Sequence, residues 1–175
     1  MASSALQSSA APRGKNILLW WLPTLMWLGV LAWFSTDSFS AEHTGSVLWK
    51  IIHTLYGSIS PAAFEQLHFI VRKSAHFLGY GLLSGFAFSS LRATFPAMRQ
   101  WWLRWSLPAW LLALLAGSFD EFHQTFVASR TPSPRDVLID VTGALFFQLV
   151  IACMVQRKML TAEARRRSKK PEQSG

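Results

Sequence analysis

The sequence is poor in cysteine and in charge. Cys153 is its only cysteine, so no disulfide can form within the chain and no cysteine-based redox or metal centre is expected. Charged residues make up 15% of the chain, whereas soluble domains average about 25%. No repeat or linker divides the 175 residues, which is the length of one domain. These absences exclude a disulfide-stabilised fold and a multidomain chain, and they argue against an ordinary soluble domain.

Apolar residues take the place of the missing charges. Hydrophobic residues make up 51% of the chain, and nine of them are tryptophans. A helix needs about 20 mainly apolar residues to cross the core of a bilayer. Four segments approach or meet that length, namely residues 17–34, 67–91, 102–119 and 137–155. Because they are apolar on most faces, we predict an all-α membrane protein with a bundle of four transmembrane helices, in preference to a soluble helical bundle.

Lysine and arginine predict how the chain crosses the membrane, because cytoplasmic loops hold an excess of both. Arg13 and Lys15 precede the first segment, which is too long for a cleaved signal peptide. The connection 35–66 holds a single basic residue, Lys50. Basic residues return after the second and fourth segments, as Arg92, Arg99, Arg104, Arg157, Lys158, Arg165, Arg166, Arg167, Lys169 and Lys170. Both termini are therefore predicted to be cytoplasmic, in a multi-pass protein.

Three regions follow from this pattern. Residues 1–15 are predicted to be a disordered cytoplasmic N-terminus, residues 16–156 the four-helix transmembrane domain and residues 157–175 a basic, disordered cytoplasmic tail. The tail supplies most of the net charge of +8. We interpret it as a topology determinant, with attraction to anionic membrane lipids as the second interpretation. No nucleic-acid partner is expected, because no folded domain accompanies the basic run.

The connection between the first and second segments contains a further helical pattern. Within "TGSVLWKIIHTLYGSI" the apolar residues Val47, Leu48, Ile51, Ile52 and Leu55 recur at helical intervals. This predicts a short extracytoplasmic amphipathic helix, lying on the outer membrane face or over the bundle and ending at the proline at position 61.

Polar residues interrupt three of the four segments at helical spacing. The three sets are Lys73, His76 and Tyr80; Asp120, Glu121 and Gln124; and Asp136, Asp140 and Gly143. Residues three and four apart share one face of a helix. With the topology above, each set lies at the outer end of its segment. We therefore expect the three sets to meet at one depth near the outer surface.

Two interpretations of these polar residues are open. Charged side chains within a membrane segment cost at least about 2.5 kcal/mol each, and they normally face the bundle interior in pairs. An ion-pair network that only joins helices is one interpretation, with Arg130, Arg72 and Arg135 as further cations. We favour a water-accessible pocket, because so many polar groups exceed what helix association needs. The inner halves of the helices look apolar, which disfavours a path to the cytoplasm.

Residue chemistry suggests a role for each position. Glu121 and His76, with Asp120, are the candidate catalytic residues, because burial and neighbouring charges can tune a carboxylate or imidazole for proton transfer. The candidate binding residues are Lys73 and Arg130 for an anionic group, Gln124 and Tyr80 for orientation, and Asp136 and Asp140 for holding the cations. His123 is expected at the surface. No metal or other cofactor is expected, because the spacing matches no strong ligand motif.

Three motifs resemble those of the VanZ-like family of small bacterial membrane proteins. "FSTDSFSAEHTG" resembles the segment after the first helix of the family, and "KSAHFLGYGLL" resembles its Lys-x-x-His-Phe-x-x-Tyr-x-x-Leu pattern. "DEFHQTFVASRTPSPRDVLIDVTGA" resembles its Asp-Glu-x-x-Gln, Arg, Asp-x-x-x-Asn/Asp-x-x-Gly pattern. The chain departs from the family at four positions: Ala128 and Ser129 replace a frequent Pro-Gly, Asp140 a frequent Asn and Phe147 a frequent Gly.

The resemblance implies a protein of the bacterial cytoplasmic (inner) membrane, in a family named for a member linked to teicoplanin resistance. We expect an outward-facing pocket that recognises, with or without chemical processing, an envelope component such as a lipid-linked cell-wall precursor. Membrane lipids are the other expected partners. A non-enzymatic binder or small transporter of an envelope ligand is the alternative function, and a purely structural membrane partner is the third.

Overall fold

The computed structural model of the chain describes residues 17–36, 39–95, 102–127 and 132–168, and these are helical apart from short connections. The helices are α1 (Ile17–Phe34), α2 (Ala41–Tyr56), α3 (Pro61–Thr94), α4 (Trp102–Gln124) and α5 (Pro134–Ser168). The all-α prediction is confirmed, and α1 has the predicted bounds. The other segments are longer than predicted. The 34-residue α3 begins two turns before its apolar run because Ser60 caps it and Pro61 fits the first helical turn.

The bundle exposes many large apolar side chains and buries several polar ones. The one buried residue of α1 is the polar Thr24, and the buried residues of α5 include Asp140 and Gln148. Large apolar side chains face outward instead, among them Leu18, Leu22, Leu25, Met26, Leu107, Leu111, Leu115, Leu145, Phe146 and Leu149. So many exposed large apolar side chains suit contact with lipid. The chain is therefore a membrane protein.

Among the described residues, two helices are long and apolar enough to cross a membrane, α1 and the Pro134–Arg166 stretch of α5. These two helices are candidate membrane spans, and the predicted bundle of four transmembrane helices stays a prediction. At 1.5 Å per residue, α3 and α4 are about 51 and 34 Å long, which exceeds the roughly 30 Å of a bilayer core.

α3 is the central helix, because it packs against α1, α4 and α5. Glycines allow its close approach to α5. A Cβ on Gly143 would overlap the backbone carbonyl group of Phe77, and a Cβ on Gly81 would overlap the ring of Phe147. Small residues at the crossing are how membrane helices associate closely.

Polar pairs are buried on the side of the bundle away from the predicted pocket. Gln148 on α5 donates to the side-chain and backbone oxygens of Ser84 on α3, at 2.7 and 3.0 Å. Thr24 on α1 hydrogen-bonds Ser90 on α3 at 2.8 Å. The expectation that the inner halves are apolar was therefore wrong. Isolated Ser, Thr and Gln residues leave a long run apolar on average, but their side-chain hydrogen bonds can join helices inside a membrane.

α2 is the predicted amphipathic helix, and it packs on the N-terminal half of α3. Gly45, Leu48 and Ile52 turn toward the bundle, whereas Val47 and Ile51 are exposed. The helix ends at Tyr56, because Gly57 with φ 78° terminates it. The prediction that Pro61 ends α2 was wrong, since that proline opens α3.

The predicted boundary of the C-terminal tail was also wrong. α5 continues past residue 156 to Ser168, so the described part of residues 157–175 is helical and not disordered. The physical reason is the run of Lys, Met, Leu, Ala, Glu and Arg residues, which extend an existing helix at little cost. Residues 1–15, predicted to be disordered, lie outside the described part of the chain.

Candidate functional site

Two cross-helix pairs join the N-terminal half of α3 to the first turns of α5. Lys73 forms a salt bridge with Asp136. One turn further along α3, His76 Nδ1 lies 3.1 Å from Asp140 Oδ1. Since a carboxylate accepts hydrogen bonds, the ring donates from Nδ1. Because the α3 residues are three apart and the α5 residues four apart, both pairs lie along the same interface between α3 and α5.

The Asp140 side chain is completely buried between α3, α4 and α5. Its Oδ2 has no hydrogen-bond partner among the described residues. Gly117 on α4 lies opposite, and a Cβ on it would stand 3.0 Å from that oxygen. Gly117 therefore leaves the space that the carboxylate occupies, and His76 is the group that holds the carboxylate in position.

The C-terminal end of α4 contributes two further carboxylates with different partners. Gln124 is 2% exposed, and its Nε2 donates to Asp120 Oδ2 at 3.0 Å, one turn back on the same helix. Glu121 is buried and accepts from the backbone N–H of Ser133 at 2.6 Å. Glu121 therefore ties the end of α4 to the start of α5, whereas Asp120 faces α3.

A cavity of about 230 Å³ lies between the C-terminal end of α1, α2, α3 and the end of α4. Its apolar wall consists of Leu31, Phe34, Phe39, Leu48, Val71 and Ala75. Its polar lining consists of Ser35, Thr44, His68, Arg72, His76, Tyr80, Asp120 and Gln124. Phe34 and Val71 are 44% and 46% exposed, whereas Tyr80 and Gln124 are 3% and 2% exposed. The cavity thus has apolar residues where it meets the surface and a buried polar end.

His76 connects the two parts of the site. It lines the cavity, and its Nδ1 is held by Asp140 on α5. Its ring lies nearly parallel to that of Tyr80, with centroids 6.3 Å apart. Because Nδ1 is engaged, Nε2 is the ring nitrogen available to a molecule in the cavity. A carboxylate–imidazole pair of this kind can hold a ring in one tautomer and exchange a proton with a ligand.

The structure brings most of the predicted site residues together. His76, Tyr80, Asp120 and Gln124 line the cavity, as expected for one pocket. Four others lie beside it, in contacts between helices: Lys73, Glu121, Asp136 and Asp140. Arg130 lies outside the described residues. His123 is exposed, as predicted, with Nδ1 3.5 Å from the Ser35 hydroxyl.

Sequence reasoning gave too little weight to one stripe of α3. His68 and Arg72 line the cavity together with His76 and Tyr80, each four residues from the next. The spacing of four residues indicated that these side chains share one face of α3. Lys73, three residues before His76, fits a helical face with His76 and Tyr80 equally well. Only the packing of α5 against Lys73 separates the two stripes. α2 adds Thr44, whose hydroxyl lies 3.2 Å from His68 Nε2.

No group of three or more His, Cys, Asp or Glu side chains among the described residues could hold a metal ion. The carboxylates are separated instead by their partners: an ammonium group, an imidazole, an amide and a backbone N–H. The side chains that line the cavity can form hydrogen bonds, pair with charges and transfer protons.

Comparison with known protein families gives a match over the region that contains the site. The family model described as VanZ/LLP1 matches residues 20–155, a range from the first turn of α1 to the apolar part of α5 that includes all residues of the site. No curated protein and no solved structure matches the chain. The matched region is well over half of the sequence and includes the polar motifs of α3, α4 and α5. The chain therefore belongs to the VanZ-like family.

Proposed function

We propose that the chain is a four-span protein of the bacterial cytoplasmic membrane whose cavity binds an amphipathic component of the envelope. In this arrangement both termini are cytoplasmic, and α2 and the cavity lie at the outer face. A lipid-linked cell-wall precursor is the type of ligand that fits best. The observation that carries the proposal is the cavity itself, in which exposed apolar side chains lead to a buried polar end.

The lining matches the two parts of such a ligand. Leu31 and Ala75 belong to the apolar wall that would contact a hydrocarbon chain. His76, Tyr80 and Asp120 offer hydrogen-bond donors and acceptors to a head group. A purely polar solute would leave the apolar wall exposed to water, and a hydrocarbon would leave the buried polar groups without partners.

His76 is the residue best suited to chemistry on the bound ligand. In our proposal Asp140 fixes the imidazole through Nδ1, and Nε2 gives a proton to the head group or accepts one from it. Asp120 and Gln124 orient the same group. We assign Lys73, Glu121 and Asp136 to holding the helices around the cavity, because their side chains contact the neighbouring helix or its first residues.

The test compares two substitutions on the same helix. Ala75→Phe fills the cavity, whereas Ala62→Phe adds the same ring at an exposed position outside its lining. Each variant is purified from bacterial membranes, and the lipids that accompany it are measured by mass spectrometry. We expect a specific envelope lipid with the parent and with Ala62→Phe, and its loss with Ala75→Phe. Equal lipid content in all three proteins would contradict the proposal.

A second candidate function, a non-enzymatic binder or small transporter, is favoured by the buried polar pairs beyond the cavity. Ser84–Gln148 and Thr24–Ser90 continue the line of polar groups toward the opposite end of the bundle. If the protein moves its ligand, Gln148→Leu slows transfer between the leaflets of a vesicle without weakening binding. If the protein acts only at the outer face, Gln148→Leu changes neither the rate of transfer nor the affinity for the ligand.

A further inference from the structure

We propose that Arg72 binds a phosphate group of the ligand, with His68 and His76 above and below it. This inference rests on the proposed function and deepens it, because it names the ligand class as a phosphate-bearing lipid. It starts from the stripe His68, Arg72, His76 and Tyr80 that lines the cavity. Successive members are separated by about one helical turn of 5.4 Å, so the two histidines flank the guanidinium group.

Arg72 is the cation in this region whose charge is not matched by a described carboxylate. The neighbouring Lys73 is ion-paired with Asp136 and lies over the ring of Phe69. Among the residues that the structure describes, no hydrogen bond or ion pair involves the Arg72 side chain. A half-buried guanidinium beside an apolar wall is costly without an anion. The cavity therefore offers a binding position for an anionic group.

Each flanking histidine has one ring nitrogen engaged and one available. His68 Nε2 lies 3.2 Å from the Thr44 hydroxyl on α2, which leaves Nδ1. Gly45 makes this contact possible, because a Cβ there would stand 3.3 Å from the His68 ring. His76 Nδ1 is engaged by Asp140, which leaves Nε2. When the two imidazoles are protonated, these two nitrogens and the guanidinium fork of Arg72 can all donate hydrogen bonds to one anion.

This number of donors suits a phosphate better than a carboxylate. A phosphate monoester carries three terminal oxygens and up to two negative charges, whereas a single arginine can satisfy both oxygens of a carboxylate. The two imidazoles beside the arginine can bind an anion that has more oxygens than a carboxylate. The head group is therefore assigned as a phosphate or diphosphate.

The charges along the cavity also orient the ligand. Tyr80 lies eight residues, or about 12 Å, from Arg72 along α3, and it lines the cavity together with Asp120. Asp120 would repel a phosphate but would accept hydrogen bonds from hydroxyl or amino groups. The phosphate is therefore placed at the Arg72 end, and hydrogen-bond donors of the ligand are placed near Asp120.

The experiment uses the full-length protein in nanodiscs of phosphatidylcholine, with three probes. They are a polyprenyl monophosphate, the corresponding polyprenyl alcohol and inorganic phosphate, with binding followed by native mass spectrometry and competition. The parent is compared with Arg72→Gln and with Arg135→Gln, which removes an exposed arginine outside the cavity lining. We expect the parent and Arg135→Gln to bind the monophosphate about tenfold more tightly than the alcohol, and Arg72→Gln to lose that preference.

The outcomes separate this inference from the proposed function. If the alcohol and the monophosphate bind equally to the parent and Ala75→Phe abolishes both, the phosphate site is overturned and the amphipathic cavity stands. If inorganic phosphate binds as tightly as the lipid phosphate and depends on Arg72, the phosphate site is supported and its ligand is a soluble anion, which contradicts the lipid proposal. A preference that survives in Arg72→Gln overturns the assignment of Arg72. Absence of binding by all three probes overturns both.

Discussion

His76 on α3 hydrogen-bonds Asp140 on α5 at 3.1 Å, inside a bundle whose outer surface is largely apolar. The contact joins two helices and also orients the ring that lines the cavity. Removing either partner should therefore change both the stability of the bundle and the properties of the site.

A double-mutant cycle measures the structural part of this contact. His76→Leu leaves the buried Asp140 carboxylate without its partner, which we expect to cost about 3–5 kcal/mol. Asp140→Leu should cost less, because a neutral imidazole needs only one acceptor. The double variant should be more stable than the sum of the two losses predicts. Unfolding in detergent by dodecyl sulfate measures the three values, and strict additivity would contradict a direct contact.

The second prediction concerns Lys73 and Asp136. Their salt bridge joins α3 to α5, so Lys73→Ala should destabilise the bundle without removing lipid binding, because Lys73 does not line the cavity. The coupling energy of a Lys73→Ala and Asp136→Ala cycle should fall between about 0.5 and 3 kcal/mol. If Lys73→Ala abolishes binding in a protein of unchanged stability, Lys73 acts on the ligand as the sequence first predicted.

Glycine substitutions test the approach of α3 to α5. Gly143→Ala places a methyl group against the Phe77 backbone, which cannot move away without shifting α3, so we expect a loss of about 1–3 kcal/mol or more. Gly81→Ala presses on the Phe147 ring, and Phe147→Ala should restore the lost stability. Gly29→Ala is the control, because a Cβ added there would have no neighbouring atom within 4 Å. Thermal unfolding of the purified variants decides the order, and equal stability of Gly143→Ala and Gly29→Ala would contradict the packing.

Some parts of the fold and of the site could be predicted from the sequence, and others depend on how the helices pack. The bounds of α1 followed from a long apolar run, and the meeting of the polar sets of α3, α4 and α5 followed from their three-and-four spacing, although the pairing of His76 with Asp140 did not. The choice between Lys73 and Arg72 as the cavity cation did not follow. Both are adjacent on one helix, and only the position of α5 decides which of them points away from the cavity. The inner hydrogen bond between Thr24 and Ser90 was missed because isolated hydroxyl groups hardly change the apolar character of a segment.

Cysteine labelling tests the four-span arrangement. In a Cys153→Ser background, a single cysteine at Glu42 on α2 should react with a membrane-impermeant maleimide added to intact spheroplasts. A single cysteine at Thr161, in the last part of α5, should react only after permeabilisation, because it is predicted to face the cytoplasm. Both positions are exposed, so access is set by the membrane and not by the fold. Labelling of both positions from the same side would contradict the topology.

Photo-crosslinking tests binding in the cavity most directly. A polyprenyl phosphate with a diazirine in its chain is irradiated with the full-length protein, and the labelled peptides are identified by mass spectrometry. The account predicts labels concentrated at the end of α1 and on residues 68–80 of α3, with their loss in Ala75→Phe and their retention in Ala62→Phe. Labels spread evenly over exposed residues such as Leu111 and Leu115, and unchanged by Ala75→Phe, would contradict it.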